Sequence, residues 1–313
     1  MSAAGATRPR DELHSYYGRP VLKAPVWTHE IPLYLFTGGL AGASSGLAYL
    51  AGRNGDEELA RRAWLNAAAA IGVSPVLLIS DLGRPARFLN MLRLFKVTSP
   101  MSVGTWILSA SGLATTVAAA DAFTPFVPGP AARAARASAA VLGLPLATYT
   151  GALLSDTAVP VWHGARVTLP FVFGASAATT ASAAAVATTR PEAAAPARRL
   201  AVGGAVVTAG ALAAMERGLG PLAEPYSTGA AGRLKRAAQV LTVAGAAVVA
   251  GLGRRGRVPA AAGGGLLLAG ALCERWSIFR AGFQSAEDPA QVVGPQRAGI
   301  EAGERRGAVR RGG

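Results

Sequence analysis

The sequence is short of cysteine, of histidine and of charge, and each shortage removes a class of protein. Its 313 residues include one cysteine, three histidines and charged side chains at only 15% of positions. One cysteine, Cys273, excludes a disulfide-stapled secreted scaffold. It equally excludes an iron–sulfur cluster held by this chain, which takes about four ligands. A haem between paired histidines is not expected, because His14, His29 and His163 all fall outside the apolar stretches. No glycine loop followed by a phosphate-binding lysine, no GxSxG and no HExxH occurs, and no metal site is expected. The sparse charge, set against 51% apolar residues, excludes a disordered chain.

What charge there is has an uneven sign and an uneven place. The formal net charge is +14, which invites a nucleic-acid reading. That reading needs basic residues interleaved with aromatics on one face, and the basic residues here instead punctuate apolar runs. Charge-free stretches cover about 31–52, 63–80, 97–120, 137–155, 167–189, 200–215, 237–253 and 258–273. A helix crosses the hydrocarbon core with about 20 mainly apolar residues. Five stretches reach 18 residues or more, and flanking residues complete the others by snorkelling or local thinning. None alternates with period two, and none carries the polar stripe of a soluble amphipathic helix. The expected fold is therefore all-α: a polytopic integral membrane protein with about eight transmembrane helices in a bundle. A polar segment over 1–26 precedes the membrane domain (27–283), and a polar tail over 284–313 follows it. The first 25 residues lack an apolar core, so no cleavable signal peptide is expected.

Within the stretches, Gly42 and Gly46 stand at GxxxG spacing, which lets helix backbones approach closely. Close packing inside the chain is favoured over a dimer seam. Pro75 and Pro145 fall inside the second and fourth stretches and suggest kinks beside a cavity. Trp27, Trp106, Trp162 and Trp276 read first as an interfacial aromatic belt.

Polar groups gather on the side of the termini. Trp27-Thr28-His29-Glu30 precedes the first stretch, Asp81-Leu82-Gly83-Arg84 leaves the second, and Tyr149 lies in the fourth with Asp156 and His163 at its exit. Glu216-Arg217 leaves the sixth stretch and Glu274-Arg275 the eighth. Ionisable groups beside a bilayer are costly and mark function or pair with each other; for Asp81 and Arg84 an ion pair closing a helix end is the plain alternative. Residues 84–96 read as an interfacial helix, with Phe88, Met91, Leu92 and Phe95 on one face and Arg87, Asn90, Arg93 and Lys96 on the other. Such a helix adheres to lipid or docks a partner subunit.

Four segments resemble the NrfD-like family, the integral membrane subunits of polysulfide-reductase-type complexes. They are Trp27 to Gly46, Asp81 to Ser102, Tyr149 to Trp162 and Arg275 to Arg297. The resemblance implies an eight-helix subunit of a respiratory oxidoreductase, of the formate dehydrogenase or polysulfide reductase type. Such a subunit binds menaquinone or ubiquinone as a diffusible partner in electron transfer. It anchors a ferredoxin-like iron–sulfur subunit and a molybdopterin or tungstopterin catalytic subunit in the membrane lipid. Carried over by motif, the quinone-binding residues are His29, Glu30, Tyr34, Asp81, Arg84 and Tyr149, with Arg87, Arg93 and Lys96 at the partner surface. Quinol oxidation releases two protons, so carboxylates near the headgroup are needed as acceptors. Glu30 and Asp81 are the expected catalytic pair, Tyr149 or His29 a hydrogen-bond partner for a quinone carbonyl, and Arg84 the group that holds Asp81 ionised and stabilises a semiquinone anion.

Two rival readings remain. A transporter or proton channel carries ionisable residues or broken helices near the midplane, whereas these stretches lack charge, although Thr105, Ser109, Ser111, Thr179, Thr180 and Ser182 could seat water. A pure anchor would carry no quinone site. The orientation follows from Lys and Arg: with eight spans, 20 of the 31 lie on the side of both termini, which the positive-inside rule places in the cytoplasm of a cell-membrane protein. A reporter that is active only after export, fused behind Gly313, is therefore expected to be silent; an active fusion would reverse the topology.

Overall fold

The computed structural model describes residues 22–23, 25–84 and 86–293, and all the regular structure among them is helical. The basic N-terminal segment with His14 and the tail from 294 lie outside the described residues. Eight long helices follow the eight charge-free stretches: α1 Glu30–Arg53, α2 Glu57–Asp81, α4 Pro100–Phe123, α5 Gly129–Ser155, α7 Leu169–Thr188, α8 Ala195–Leu219, α9 Gly229–Gly251 and α10 Arg257–Glu287. Two short helices, α3 Ala86–Leu92 and α6 Pro160–Gly164, and a 3-10 segment Gly220–Tyr226 join them at one end. Proline occupies the first turn of α4, α5, α6, α7 and α8, where its missing N–H leaves no helical bond unmade. At the opposite end Gly55, with φ +81°, allows the tight reversal between α1 and α2.

Helices α2, α4, α5, α7, α8 and α9 are long and apolar enough to cross a membrane, and the protein is a multi-pass, all-α membrane protein. α1 and α10 fall outside that group despite lengths of 24 and 31 residues. Glycine and serine dilute α1, and a buried Glu274-Arg275 pair interrupts α10. Both helices sit among neighbours, so a weakly apolar surface suffices.

The bundle is two rings of four. α1, α2, α5 and α4 pack in one, and α7, α8, α9 and α10 in the other; α1 and α5 join α7, and α1 also meets α10. α7 is the most enclosed span. In the first ring the GxxxG expectation is half met. A Cβ on Gly42 would lie 2.4 Å from the Gly143 carbonyl oxygen of α5, whereas Gly46 faces open space. Hydroxyls tie helices across these thin contacts: Thr37 of α1 to Ser74 of α2 at 2.9 Å, Ser45 to Thr115 of α4 at 3.2 Å, and Ser111 to the Leu142 carbonyl at 3.1 Å. In the second ring Thr179 meets Thr208 at 3.2 Å. Thr105, Thr180 and Ser182 bond carbonyls of their own helices.

The two ends of the bundle differ in filling. Where α1 begins and α2, α5, α8 and α10 end, the core holds Tyr34, Leu35, Leu154, Trp162, Phe173 and Phe279. Towards the other end it is built largely of alanine. Trp162 is fully buried, which corrects the belt reading for that residue: α6 folds inward instead of lying at the interface. Its Nε1 donates to the Ile278 carbonyl at 2.8 Å, and Gly282 leaves the space its ring fills. Trp106, 40% exposed, keeps the lipid-facing place.

Because backbone cannot yield as a side chain can, Gly42→Ala is expected to force α1 from α5 and destabilise by about 1–3 kcal/mol. Gly46→Ala, with nothing near its Cβ, should be neutral or slightly stabilising. Thermal unfolding of both variants in one detergent checks the contrast.

Candidate functional site

The aromatic end of the first ring contains a narrow cleft. The segment leading into α1 contributes Trp27, and α1 itself contributes Ile31, Tyr34 and Leu35; α2 gives Leu78, Asp81 and Leu82, α4 gives Met101 and Thr105, and α5 gives Tyr149, Leu153 and Leu154. Pro75 and Pro145 lie about one turn before the cleft residues of α2 and α5. Apart from the Thr105 hydroxyl, which bonds the Met101 carbonyl of its own helix, the wall is apolar except for three groups. Asp81 lies at the last residue of α2. The Tyr34 hydroxyl is buried and has no partner among the described residues. Tyr149 is half-buried, and its ring rests on Gly104 so closely that a Cβ there would lie 2.2 Å from Cε2. The free volume is about 30 Å³, room for water and well below the roughly 300 Å³ of a small ligand cleft. The cleft is closed in this conformation.

At its mouth Thr28 joins the two carboxylates. Its backbone N–H donates to Asp81 Oδ1 at 3.0 Å, and its hydroxyl lies 2.8 Å from the same oxygen. The same hydroxyl also contacts Glu30 Oε2, while Glu30 Oε1 lies 3.5 Å from His29 Nε2. A hydroxyl carries one proton, so Thr28 can donate to only one of the two acids at a time. The Thr28 hydroxyl, then the backbone amide at the start of α1, hold the Glu30 carboxyl below the usual carboxylate range, with His29 adding to the shift and desolvation opposing it. The His29 side chain is 73% exposed and faces away from the bundle into solvent.

The structure thus gathers Asp81, Tyr34 and Tyr149 on one cleft and links Glu30 and His29 to it through Thr28. Arg84 is exposed and forms no ion pair with Asp81 among the described residues; Thr28 occupies that role. The amphipathic helix is shorter than its sequence suggests. α3 ends at Leu92, with Phe88, Met91 and Leu92 half-buried against the bundle and Arg87 and Arg93 exposed. Phe95 lies beyond α3, 56% exposed and edge-on to Trp106, because the chain must turn at 93–99 to enter α4. Arg87 reaches back to the Leu82 carbonyl at 3.0 Å. Lys96 is exposed in the turn.

Sequence reading missed two features. Thr28 bridges elements 53 residues apart, and nothing local in the Trp-Thr-His-Glu run announces its partner. The second is the Glu274-Arg275 pair, expected at the exit of the eighth stretch. α10 instead continues for more than three further turns, burying both residues. Arg275 donates to the Phe173 carbonyl at 3.0 Å, and its guanidinium stands 3.7 Å from the Phe173 ring centroid. Glu274 lies 3.6 Å away with the Ser176 hydroxyl beside its carboxyl, and the Tyr226 hydroxyl is buried without a partner among the described residues. Lys235 and Glu216 pair at 2.7 Å between α9 and α8. The apolar face of Trp276, Phe279 and Phe283, at i, i+3 and i+7, is the signal that the helix goes on.

Comparison with known proteins adds one match. The family model described as "Polysulphide reductase, NrfD" covers residues 21–215, which takes in Thr28, Glu30, Asp81 and Tyr149 and stops before α10. No curated protein matches the chain. With well over half of its length matched, and with the cleft residues inside the match, the chain belongs to the NrfD polysulphide reductase family, whose members are membrane subunits of respiratory oxidoreductases.

Proposed function

We propose that this chain exchanges electrons and protons with a membrane quinone at the cleft between α1, α2, α4 and α5. The observation that carries the reading is the Tyr34 hydroxyl, buried and unpartnered on an apolar cleft with Asp81 at its rim. An unmet buried donor costs about 1–3 kcal/mol, and a quinone carbonyl is an acceptor of the right kind. The apolar wall suits the ring and the start of the isoprenoid tail. Asp81 takes the proton released at the headgroup, Thr28 carries the link to Glu30, and exposed His29 passes it to water. Glu30, with its carboxyl held ionised, keeps that route negative and hands a proton on to His29 more readily than it retains one. The cleft opens when the Tyr149 ring moves.

The electrons leave to a ferredoxin-like iron–sulfur subunit, which in turn serves a molybdopterin or tungstopterin catalytic subunit. The docking surface proposed for it is the exposed side of α3 and the following turn, where Arg87, Arg93 and Lys96 stand beside exposed Leu89 and Leu94. It lies next to the cleft, which keeps the electron path short. A second reading, proton conduction through the second ring, is favoured by the buried group of Glu274, Arg275, Tyr226 and Ser176.

In the assembled complex, Asp81→Asn is expected to lower quinone-linked turnover by roughly a hundredfold and to spare reduction of soluble dyes by the partner subunits. Parental turnover with quinone would remove Asp81 from the role. Gly104→Ala places a methyl where the Tyr149 ring now lies, pushing that ring into the cleft. A raised KM for quinone at unchanged dye activity is expected from steady-state kinetics.

A further inference from the structure

A second cavity, larger than the cleft, lies at the other end of the first ring. It encloses about 310 Å³ between the end of α1, the start of α2, the end of α4 and the start of α5. Four guanidinium groups line it: Arg53, Arg61, Arg133 and Arg136. Only two carboxylates, Glu57 and Asp121, face the same space, and Asp121 is already paired with Arg136. Arg61 stands over the Phe123 ring at 5.4 Å. Arg53, Arg61 and Arg133 have no carboxylate partner among the described residues. Alanine and the buried Trp64 form the floor.

We propose that this cavity binds the phosphodiester headgroup of an anionic membrane phospholipid. Guanidinium forks match a phosphate with paired hydrogen bonds, and three unpaired ones around one concave space leave a net positive site that needs an anion. Its position selects lipid over a soluble anion. The arginines stand where the charge-free stretches of α1, α2 and α5 meet charge, beside the end of the α4 stretch, at the level of bilayer headgroups. Beside them, exposed Leu65, one turn along α2 from Arg61, continues the surface towards the hydrocarbon. A phosphate in the cavity would therefore have its acyl chains lying along lipid-facing helix surface. The bound headgroup would clamp four helix ends that, among the described residues, share a single ion pair with one another, Arg136–Asp121. The inference is independent of the quinone reading, since no residue is shared.

The test uses the full chain, purified, stripped of lipid and titrated with phosphatidylglycerol or phosphatidylcholine in detergent micelles, read by thermal unfolding and by native mass spectrometry. Phosphatidylglycerol is expected to raise the melting temperature and to stay bound in the gas phase, and phosphatidylcholine to do neither. Arg53→Gln/Arg133→Gln should weaken the retained lipid at least tenfold for each guanidinium lost, while Arg255→Gln, an exposed arginine on the same face, should leave it unchanged. If the double variant does not fold, Arg133→Lys, which keeps the charge but not the fork, is expected to show a smaller weakening. Equal stabilisation by phosphatidylcholine, an equal response to inorganic phosphate alone, or undiminished lipid retention in the arginine variants would overturn the proposal.

Discussion

The burial of Trp162 is the interaction on which the candidate site depends. An indole taken out of the lipid interface must satisfy its N–H and find ring-shaped space. The chain meets the first need with the Ile278 carbonyl and the second with Gly282. Phe279 and Phe283 pack around the ring, and Trp27 stacks on its other side at 5.7 Å. That stack holds down the segment before α1, and the segment carries Thr28. Without it the bridge from Thr28 to Asp81 would rest on two exposed hydrogen bonds. Thus α6 and α10, which contribute nothing to the cleft wall, fix the register of its mouth.

The rings share their work unevenly. The first ring holds the cleft at one end and the arginine-lined cavity at the other, and its helices meet through glycine and hydroxyl contacts. The second buries an ionisable pair, in which Arg275 is satisfied by a ring face and a carbonyl more than by its neighbour Glu274. Adjacent residues on a helix point about a third of a turn apart, so the two charges cannot face each other squarely. Across the other end of the bundle, Arg190 binds Glu58 at 2.5 Å and ties the loop after α7 to the start of α2, so the rings are fastened at both ends.

Much of this was legible in the sequence, and the rest was hidden for definite reasons. Charge-free runs announce helices because lipid forbids unpaired backbone, and the C-terminal ends of α2 and α5 follow from where charge returns, whereas both helices begin a turn or more before their charge-free stretch. Asp81 and Tyr149 were readable as neighbours of apolar spans. Two adjacent charges ordinarily mark the end of a span, but in α10 buried neighbours satisfy them and the helix goes on. Thr28 is inconspicuous, since a threonine at an interface is ordinary until its distant partner is known. Arg84 is conspicuous for the opposite reason: it is close to Asp81 in sequence, yet α2 ends in a turn that sends it outward. The arginines of the cavity sit on three different helix ends, those of α1, α2 and α5, so no short window along the chain collects them all.

The contrast between the alanine-packed end and the aromatic end has a mechanical consequence. Helix axes approach according to the side chains between them, so small residues draw the four helices of the first ring together at one end and bulky ones hold them apart at the other. A bundle tapered this way has a stiff base and a pair of jaws. Any spreading that admits a ring-sized molecule would pivot about the alanine end and concentrate at the aromatic one, between α2 and α5, where the two internal prolines already loosen the ladder.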